Sequence, residues 1–425
     1  MVKLFYDNSF NLERESITLR KYKLVKERLL NEGIVNSNDI KDVKPLTIDD
    51  LLLVHTKEYI DAVRTGKPSE LAESNGIKWG RDVYERAIYS LGSVYQSLED
   101  SLKNGISGSL SSGYHHAHRS HGKGFCTFNY IIPIKKLILE KKINNALILD
   151  CDVHHPDGTE NCIGNDERIF SLSINGTSLF KNKDNKISYG IGLPDGIDYY
   201  KYESILECLL TEVINRKKPD IILYKASQDS HKLDIFGNLS FTAQNLFERD
   251  QFVIRYARLN GIPISFIIGS GYSRPIDITV NGHINTVKAS LEVEEENPKN
   301  IDNFNTKLVE EIEKENLKQI EEGKIYFIDK LTDRLDRMSG RKMRAGKLFN
   351  LGMDSFYFKI NDEWDYDNFQ GIRCNISHLK LMGEEEFREA SERHKLPKVL
   401  IEKILDLDGG DHFVNKENHF PCDIN

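Results

Sequence analysis

Short apolar runs and longer amphipathic stretches alternate along the first 291 residues of the chain. The apolar runs have the length of buried strands, and the stretches between them carry apolar residues at the spacing of helices. Such an alternation indicates an α/β fold with a parallel sheet covered by helices on both faces. In sheets of this kind, ligands bind beyond the carboxyl ends of the strands. The predicted strands are Lys3–Tyr6, Gly108–Ser111, Ala146–Leu149, Ile169–Ser173, Ile221–Tyr224 and Ile264–Ile268, and the predicted helices include Lys21–Asn31, Arg81–Leu98, Tyr202–Val213 and Ala243–Leu259.

The pattern changes near residue 292. Residues 292–316 are charged and rich in Asn, which is typical of a solvated linker that leads into an exposed helix. Apolar runs return from about residue 325, so we predict a main domain over residues 1–291 and a small α+β appendage over 292–425. No chemistry is predicted for the appendage. Its apolar and helical segments are Ile325–Ile328, Leu348–Leu351, Ser355–Ile360, Glu384–Arg393 and Val399–Leu407.

The composition argues against several classes of protein. A net charge of −8 and a pI near 6.0 make a general nucleic-acid-binding surface unexpected. The six cysteines are scattered without a CxxC pair, which argues against a disulfide scaffold and for a reducing compartment. The first residues, MVKLFYDNSF, are too polar for a signal peptide, and no run approaches the roughly 20 apolar residues of a membrane span. We therefore expect a soluble, cytoplasmic protein, of which the oligomeric state stays open.

The strongest chemical signal follows the predicted strand Ala146–Leu149. The chain continues as acid–x–acid–x–His, with Asp150, Asp152 and His154. If the strand's alternation continues, the three side chains project to one side. Two carboxylates with an imidazole suit a divalent metal such as zinc. The alternative is a polar strand end whose acids cap the next helix.

Three weaker signals follow other predicted strands. His115 and His116 lie in a loop after one strand, where adjacent histidines are often merely exposed to solvent. Residues Asp229–Asp234 form an acidic loop after a second strand, and taken alone this is an ordinary loop. Gly269–Tyr272 is a Gly-rich turn after a third strand. Phosphate binding there is disfavoured, because neither GxGxxG nor GK[ST] follows.

The shared position of these signals carries more weight than any one of them. Each follows the carboxyl end of a strand in the same predicted sheet, so their side chains are expected to meet in one crevice. Together they supply metal ligands, a pair of candidate bases and a hydroxyl. These are the parts of a site for metal-assisted hydrolysis.

The order of the motifs resembles the zinc-dependent histone deacetylase family of the arginase/deacetylase superfamily. The matching segments are SGYHHAHRSHGKGFCTFN, LDCDVHHPDGT, DSHKLD and GSGY, with LRKYKLVKERLLNEG, LLLVHTKEYIDAV, LPDG and GHINTVKAS around them. The class IV branch and its bacterial relatives are the most similar. The resemblance covers residues 1–291 and implies a three-layer, arginase/deacetylase-like catalytic domain; nothing in 292–425 resembles the family.

The resemblance implies a zinc ion and its ligands. In the family's acid–x–acid–x–His motif the second acid and the histidine bind zinc, which here are Asp152 and His154. The third ligand corresponds to Asp229, whereas Asp234 in the same loop is a supporting residue. Zinc held in this way keeps an open position, polarises the substrate carbonyl and lowers the pKa of its water. The same ligands also accommodate iron or cobalt, so the sequence leaves the metal open.

The resemblance also implies the groups that move protons. His115 and His116 correspond to the family's general base and acid pair, oriented by Asp150 and Asp157 respectively. Acids behind histidines fix the tautomer and raise basicity. Tyr272 corresponds to the catalytic tyrosine, whose hydroxyl stabilises the tetrahedral oxyanion. The leaving amine then takes a proton from a histidine and departs as a neutral amine.

A substrate channel and a second cation complete the implied site. Phe125 and Phe180 would line the narrow channel for the alkyl stem of the substrate, with Gly124 at its base. A structural monovalent cation, K⁺ or Na⁺, would be bound by Asp150, Asp152, His154 and Ser173.

Several positions depart from the family's pattern, among them Ser111-Ser112, which replaces a small Gly-rich pair. Pro156 stands where glycine is usual; if that position needs a positive φ, proline cannot supply it and Asp157 would be misdirected from His116. Ser270 replaces a glycine in the turn before Tyr272, and Tyr130 stands where Asn or Asp is usual. The approach to Asp229, Lys225-Ala226-Ser227-Gln228, is more polar than in the family.

Three functions remain open at this point. The first is removal of acetyl or longer acyl groups from lysine side chains of a protein or peptide. The second is deacetylation of a small amine such as an acetylpolyamine. The third is a catalytically silent relative that binds acyl-lysine or a partner. The chain retains all the implied metal ligands and Tyr272, which argues against this third function.

Overall fold

A computed structural model describes residues 2–11, 20–176 and 187–296 with their side chains. It describes only the backbone of residues 183–184 and of short strands after residue 324. The chain divides into two compact units, residues 1–199 with 213–298, and residues 200–212 with 299–425. The first unit contains all the described positions singled out above for chemistry. The predicted domain boundary at residue 291 stays a prediction.

A nine-stranded sheet forms the centre of the first unit, in the order β2-β1-β3-β9-β8-β4-β5-β7-β6. All neighbouring strands pair in parallel except β6, which is antiparallel to β7 at one edge. The strands are β1 Lys3–Phe5, β2 Ile40–Lys41, β3 Ile106–Ser109, β4 Ala146–Asp150, β5 Ile169–Gly176, β6 Lys183–Asp184, β7 Ser188–Leu193, β8 Ile222–Ala226 and β9 Ile264–Ile268.

Every residue of the central strands β3, β9, β8, β4 and β5 is buried. Consecutive buried residues point to opposite faces, so both faces of the sheet must be covered by helices. The predicted three-layer α/β architecture is thereby confirmed. The helices are α1 Lys21–Asn31, α2 Ile48–Leu51, α3 Lys57–Thr65, α4 Ser69–Ala72, α5 Arg81–Asn104, α6 Ile131–Leu139, α7 Asp157–Ile163, α8 Tyr199–Lys217, α9 Ala243–Leu259 and α10 Ile276–Glu296.

The six strands expected from the sequence are all present; Ile264–Ile268 has the predicted bounds, and the ends of the others are shifted by at most three residues. The strands β2, β6 and β7 were not expected. Two of them have only two residues, and β7 (SYGIGL) interrupts its apolar residues with glycines, so none presents a buried apolar run. The predicted helices Lys21–Asn31 and Ala243–Leu259 have the predicted bounds, whereas α5 and α8 extend beyond theirs.

Small polar residues let α5 approach the sheet closely. Ser93 and Ser97 on its inner face are fully buried, and their hydroxyls bond to Ser109 on β3 and Ser265 on β9 at 2.5 and 2.7 Å. Buried hydroxyls need such partners, because an unpaired one loses its hydration without compensation. The packing fixes β3, and therefore the loop after it, against a long helix.

The second unit contains two small antiparallel sheets, each of three strands. Their orders are β11-β10-β15 and β12-β13-β14. The predicted helical segments Glu384–Arg393 and Val399–Leu407 lie outside the described residues. The strands are β10 Ile325–Ile328, β11 Ala345–Gly346, β12 Leu348–Asn350, β13 Phe356–Ile360, β14 Gln370–Cys374 and β15 Leu379–Met382.

Among the described helices, none is long and apolar enough to cross a membrane.

Candidate metal centre and active site

Four loops meet at the carboxyl edge of four adjacent strands. The strands β3, β9, β8 and β4 are consecutive neighbours in the sheet. Taken in the same order, the ends of these strands and the loops that follow them carry His115 with His116, the turn Gly269–Tyr272, Asp229, and the segment from Asp150 to His154. The four motifs therefore meet at one edge of the sheet, as their shared position after strands predicted.

The side chains of Asp152, His154 and Asp229 come together as a possible metal centre. The Nδ1 atom of His154 lies 2.9 Å from Asp152 Oδ1 and 3.3 Å from Asp229 Oδ2. Zinc bonds of about 2.0–2.2 Å in a tetrahedron need donor atoms roughly 3.3 Å apart, so these spacings fit a zinc ion. Both aspartates are fully buried, whereas the His154 side chain keeps 27% of its exposure. The set therefore fits a divalent metal with one accessible side.

The electrostatics of this cluster also favour a cation. Burial and the neighbouring Asp152 carboxylate raise the pKa of Asp229 to about 7. Burial opposes protonation of His154, but its hydrogen bonds to Asp152 and Asp229 outweigh that effect and raise its pKa to about 10. The two buried carboxylates thus stabilise the protonated, positively charged form of His154. A metal ion that binds here has to displace the proton on His154.

The reason given from sequence for this convergence was wrong in one respect. Only Asp150 belongs to β4, while Asp152 and His154 lie in the loop beyond it. Strand alternation therefore does not govern their directions. Asp152 groups with His154 and Asp229, and Asp150 groups instead with His115 and Asp152.

His115 is paired with Asp150 in a buried dyad. Its Nδ1 lies 2.9 Å from Asp150 Oδ2, and its Nε2 lies 3.8 Å from Asp152 Oδ2. Asp150 also accepts the Tyr130 hydroxyl at 3.0 Å and the Asp152 backbone N–H at 3.0 Å. Because the carboxylate only accepts, Nδ1 of His115 carries the proton and Nε2 faces the metal cluster. Tyr130, noted above as a departure, thus helps to hold Asp150.

His116 is paired with Asp157 in a second, more exposed dyad. The Nδ1 of His116 lies 2.8 Å from Asp157 Oδ1, although Pro156 precedes Asp157. The Asp157 carboxylate therefore reaches His116, as expected, with Pro156 in place of glycine. Pro156 has a φ of −78° at the start of α7, a value that proline adopts readily, so no positive φ is needed. Burial and the adjacent His115 lower the pKa of His116 to about 4, which leaves the ring neutral at physiological pH.

Tyr272 is held in place through its ring and its backbone. The Asp234 carboxylate accepts the Tyr272 backbone N–H at 2.5 Å, which agrees with the supporting role expected for Asp234. The ring centroid of Tyr272 lies 5.1 Å from that of Phe236 and 5.1 Å from Lys21 Nζ. Burial raises the pKa of Tyr272 well above its usual value, so the hydroxyl keeps its proton and remains a donor.

Lys21 is a further residue at this turn to which the sequence assigned no role. It is buried, and its ammonium donates to the carbonyl oxygens of Gly269 and Gly271 at 3.0 and 3.4 Å. Gly271 has a φ of 140°, and a side chain there would collide with Thr279. The hydrogen bonds of Lys21 therefore hold the backbone of the turn that carries Tyr272. The only sequence signal was its place in the matching segment LRKYKLVKERLLNEG.

The predicted channel residues are only partly described. Gly124 has a φ of 52°, and an added Cβ atom would lie 2.8 Å from the His116 ring, so the backbone approaches that histidine closely. Phe125 follows with 47% exposure. Phe236, at 50% exposure, is a further aromatic residue beside Tyr272 that the sequence did not suggest. Phe180 lies outside the described residues.

Three residues that bind one carboxylate oxygen had been given no role from the sequence. Asp152 Oδ2 accepts hydrogen bonds from Lys225, Ser227 and Ser270, the second at 2.9 Å. Ser270 Oγ also lies 2.9 Å from Asp229 Oδ2, so its single hydroxyl hydrogen is shared between the two carboxylates and the hydroxyl faces the metal cluster. Burial opposes a charge on Lys225, but Asp150 and Asp152 outweigh it and raise its pKa above the usual value. These residues leave Asp152 Oδ1 directed towards His154.

The predicted monovalent-cation site does not have the expected form. The backbone carbonyl oxygens of Asp152 and His154 accept hydrogen bonds from Asn175 Nδ2 at 2.8 and 2.9 Å. Ser173, the remaining predicted ligand beside Asp150, donates to Asn175 Oδ1 at 3.0 Å. An amide nitrogen has no lone pair to offer a metal ion. The Asn175 amide group occupies both carbonyl oxygens and Lys225 lies against Asp150 and Asp152, so the residues present do not fit a bound K⁺ or Na⁺.

His55 supports the loop that carries the paired histidines. It is buried, donates from Nδ1 to the Arg119 carbonyl at 3.2 Å and accepts the Asn129 backbone N–H on Nε2 at 3.0 Å. Asn129 in turn donates to the Ala117 carbonyl at 2.9 Å. A neutral ring satisfies both contacts, whereas a proton on Nε2 would oppose the Asn129 N–H. Burial accordingly lowers the pKa of His55 from 6.5 to about 4.

We expect this histidine to make folding stability depend on acidity. Between pH 6.5 and 4 the unfolded chain protonates His55 and the native chain does not, so stability falls as the pH falls through this window. The difference amounts to a few kcal/mol at most, on the order of 1.4 kcal/mol per pH unit. Chemical denaturation of wild type and His55→Gln at pH 7 and pH 5 measures it. The advantage of wild type should shrink at pH 5; an equal advantage at both pH values would contradict the assignment.

Comparison with known proteins agrees with the fold. The sequence model described as the histone deacetylase domain matches residues 16–287. An uncharacterised protein of Picosynechococcus sp. is 28% identical over 283 residues, which cover 66% of this chain and 94% of the relative. The acetoin utilization protein AcuC of Staphylococcus aureus is 28% identical over 60% of this chain and 71% of its own length. A probable deacetylase of Archaeoglobus fulgidus is 28% identical over 52% of this chain and 66% of its own.

The solved structure of the HDA15 HD domain shares the fold. It superimposes with a TM-score of 0.58 at 18% identity, over 69% of this chain and 94% of that one. The match to the domain spans more than half of the sequence, and the chain belongs to the histone deacetylase family. Deacetylation, a hydrolysis, is the reaction of that family.

Proposed function

We propose that this protein is a zinc-dependent amidohydrolase that removes acetyl or longer acyl groups from lysine side chains of proteins or peptides. The observation that carries the proposal is the meeting of a three-donor metal cluster, two His–Asp dyads and a tyrosine hydroxyl at one sheet edge. The metal donors are Asp152, His154 and Asp229. Zinc bound there would act as a Lewis acid on the substrate carbonyl and as an activator of water.

The two histidines would handle the protons of the reaction. Nε2 of His115 faces the metal cluster while Asp150 holds the proton on Nδ1, an arrangement that suits a group accepting a proton from water. His116 lies beside it, with ring centroids 4.0 Å apart, and Asp157 fixes its orientation. The proton taken up from water would pass through this pair of histidines to the leaving amine, so that the amine departs neutral and both rings return to their neutral forms.

Tyr272 would stabilise the negative charge that develops on the carbonyl oxygen. A donor fixed in advance at that oxygen lowers the barrier, because it need not reorganise during the reaction. Lys21 and Phe236 contact the ring of the tyrosine, and Asp234 accepts its backbone N–H. The protonated hydroxyl is the form that this role requires.

Exposed apolar side chains in the loops that carry His116 and Asp229 support an acyl-lysine substrate, and one of them, Phe236, contacts the Tyr272 ring. Phe125, Leu233, Ile235 and Phe236 are each about half exposed, at 47%, 49%, 50% and 50%. Such surfaces suit the alkyl stem and apolar neighbours of a lysine in a peptide. A polyamine carries several positive charges, for which carboxylates would be the expected partners. We also propose a cytoplasmic location, which the buried free thiols of Cys126 and Cys162 support.

The substrate class is tested by comparing three kinds of reporter. We expect kcat/KM for acetyl-lysine and longer acyl-lysine peptides to exceed that for an acetylpolyamine by roughly tenfold or more. Phe236→Ala should reduce kcat/KM for the peptides and leave zinc content unchanged. Leu139→Ala, which removes an equally apolar side chain with 67% exposure, serves as the control. A preference for the polyamine would favour a small-molecule deacetylase, and hydrolysis of none of the three would favour a silent relative.

A further inference from the structure

The buried carboxylates at the end of β4 already have a positive partner within the chain. Lys225 is 2% exposed; its ammonium contacts Asp152 Oδ2 and lies 3.7 Å from Asp150 Oδ1. The strands β8 and β4 are neighbours, and Lys225 is paired in register with Asp150. The ammonium is therefore placed by the backbone pairing of the sheet. It does not depend on a flexible side chain reaching from a surface.

Asn175 occupies polar atoms of three of the four residues that were expected to bind the monovalent cation. Its Nδ2 atom joins the backbone carbonyl oxygens of Asp152 and His154 at 2.8 and 2.9 Å. Both partners are pure acceptors, and the Ser173 hydroxyl can donate to Oδ1, so this orientation of the amide is the one that satisfies all the groups. The amide thus ties together the loop that carries two of the three metal donors.

The balance of buried charge also argues against a bound monovalent cation. Asp150, Asp152 and Asp229 are all fully buried and bring three negative charges. One ammonium and one divalent metal ion neutralise them. An additional monovalent cation would leave an unbalanced positive charge in the interior, which is costly.

We propose that Lys225 and Asn175 replace the monovalent cation, so that the fold and the metal centre of this protein are independent of K⁺ and Na⁺. Lys225 supplies the fixed charge and Asn175 supplies the bonds to the carbonyl oxygens. Both are positioning residues, since they act through Asp150, Asp152 and His154. The part of the proposal that concerns zinc rests on the proposed function, whereas the part that concerns folding does not.

The test compares KCl, NaCl and choline chloride at equal ionic strength. For the wild-type protein as purified, the melting temperature should agree within about 1 °C among the three salts, a difference well below 1 kcal/mol of stability. Zinc affinity, measured by competition with a chromogenic chelator, should also be unchanged. A rise in either quantity when K⁺ or Na⁺ replaces choline would overturn the proposal. Because melting needs no zinc and no substrate, its result stands even if the proposed function fails.

Variants separate this role from a merely structural one. In Lys225→Gln we expect zinc affinity to fall roughly 10- to 100-fold in choline chloride. We also expect both zinc affinity and melting temperature to become dependent on K⁺ or Na⁺, because the carboxylates then lack a partner. Lys136→Gln, which removes a lysine paired with Asp50, should stay independent of the salt. Zinc affinity in Lys225→Gln equal to that of wild type would contradict the proposal. If this variant does not fold, the wild-type comparison still decides.

Discussion

Asp229→Asn is expected to abolish both metal binding and deacetylation. The substitution removes one of the two buried carboxylates that face His154, so the remaining donors carry too little charge to hold a divalent ion. The fold should persist, because an amide oxygen can still accept the Val153 backbone N–H that Asp229 Oδ1 accepts at 3.3 Å. Zinc content by mass spectrometry should fall from roughly one ion per chain to near zero.

Asp234→Asn provides the matched control from the same loop. Asp234 contacts the Tyr272 backbone and is not part of the metal cluster, so this variant should keep its zinc while its activity falls. Loss of zinc in Asp234→Asn with retention in Asp229→Asn would reverse the assignment of the third ligand. Retention of zinc in both would place the metal elsewhere.

Tyr272→Phe is expected to lose activity without losing the metal. It removes one hydroxyl and keeps the ring that Phe236 and Lys21 contact, so the turn should stay in place. The loss of a prepared oxyanion donor costs roughly 100- to 1,000-fold in kcat. Hydrolysis of an acetyl-lysine peptide measures this loss, together with zinc content and melting temperature.

The control for this variant is Tyr95→Phe. Its hydroxyl bonds to Glu140 at the surface, so its loss should leave kcat unchanged. Near-normal kcat in Tyr272→Phe would exclude the tyrosine from oxyanion stabilisation. A fall in kcat accompanied by loss of zinc would show that the hydroxyl supports the metal centre instead.

The central sheet and the grouping of the site were predictable because both rest on local patterns. Each central strand is a contiguous buried run, and each chemical motif directly follows one of them, as with Asp150 at the end of β4. The strands at and near the edges were missed because they contain no such buried run. Strand β7 lies near an edge, needs no continuous apolar run and contains two glycines.

The surroundings of the metal cluster were not predictable, because they depend on which strands are neighbours. Lys225 appeared only as a polar departure until the sheet order placed it beside Asp150. Asn175 reaches the loop after β4 only because β5 is paired with β4. The effect of Pro156 was left open by the sequence, because the φ that this position needs depends on where the next helix begins. In this chain α7 begins directly after Pro156, with a backbone conformation that proline favours.

The most direct test of a zinc-dependent deacetylase is removal and return of the metal in the wild-type protein. The purified protein should contain roughly one zinc ion per chain and hydrolyse an acetyl-lysine peptide. Chelation should abolish hydrolysis, and added zinc should restore it, with iron and cobalt assayed in parallel. Metal-free protein that hydrolyses the peptide at the original rate would contradict the account, as would zinc-loaded protein that hydrolyses no acyl-lysine peptide.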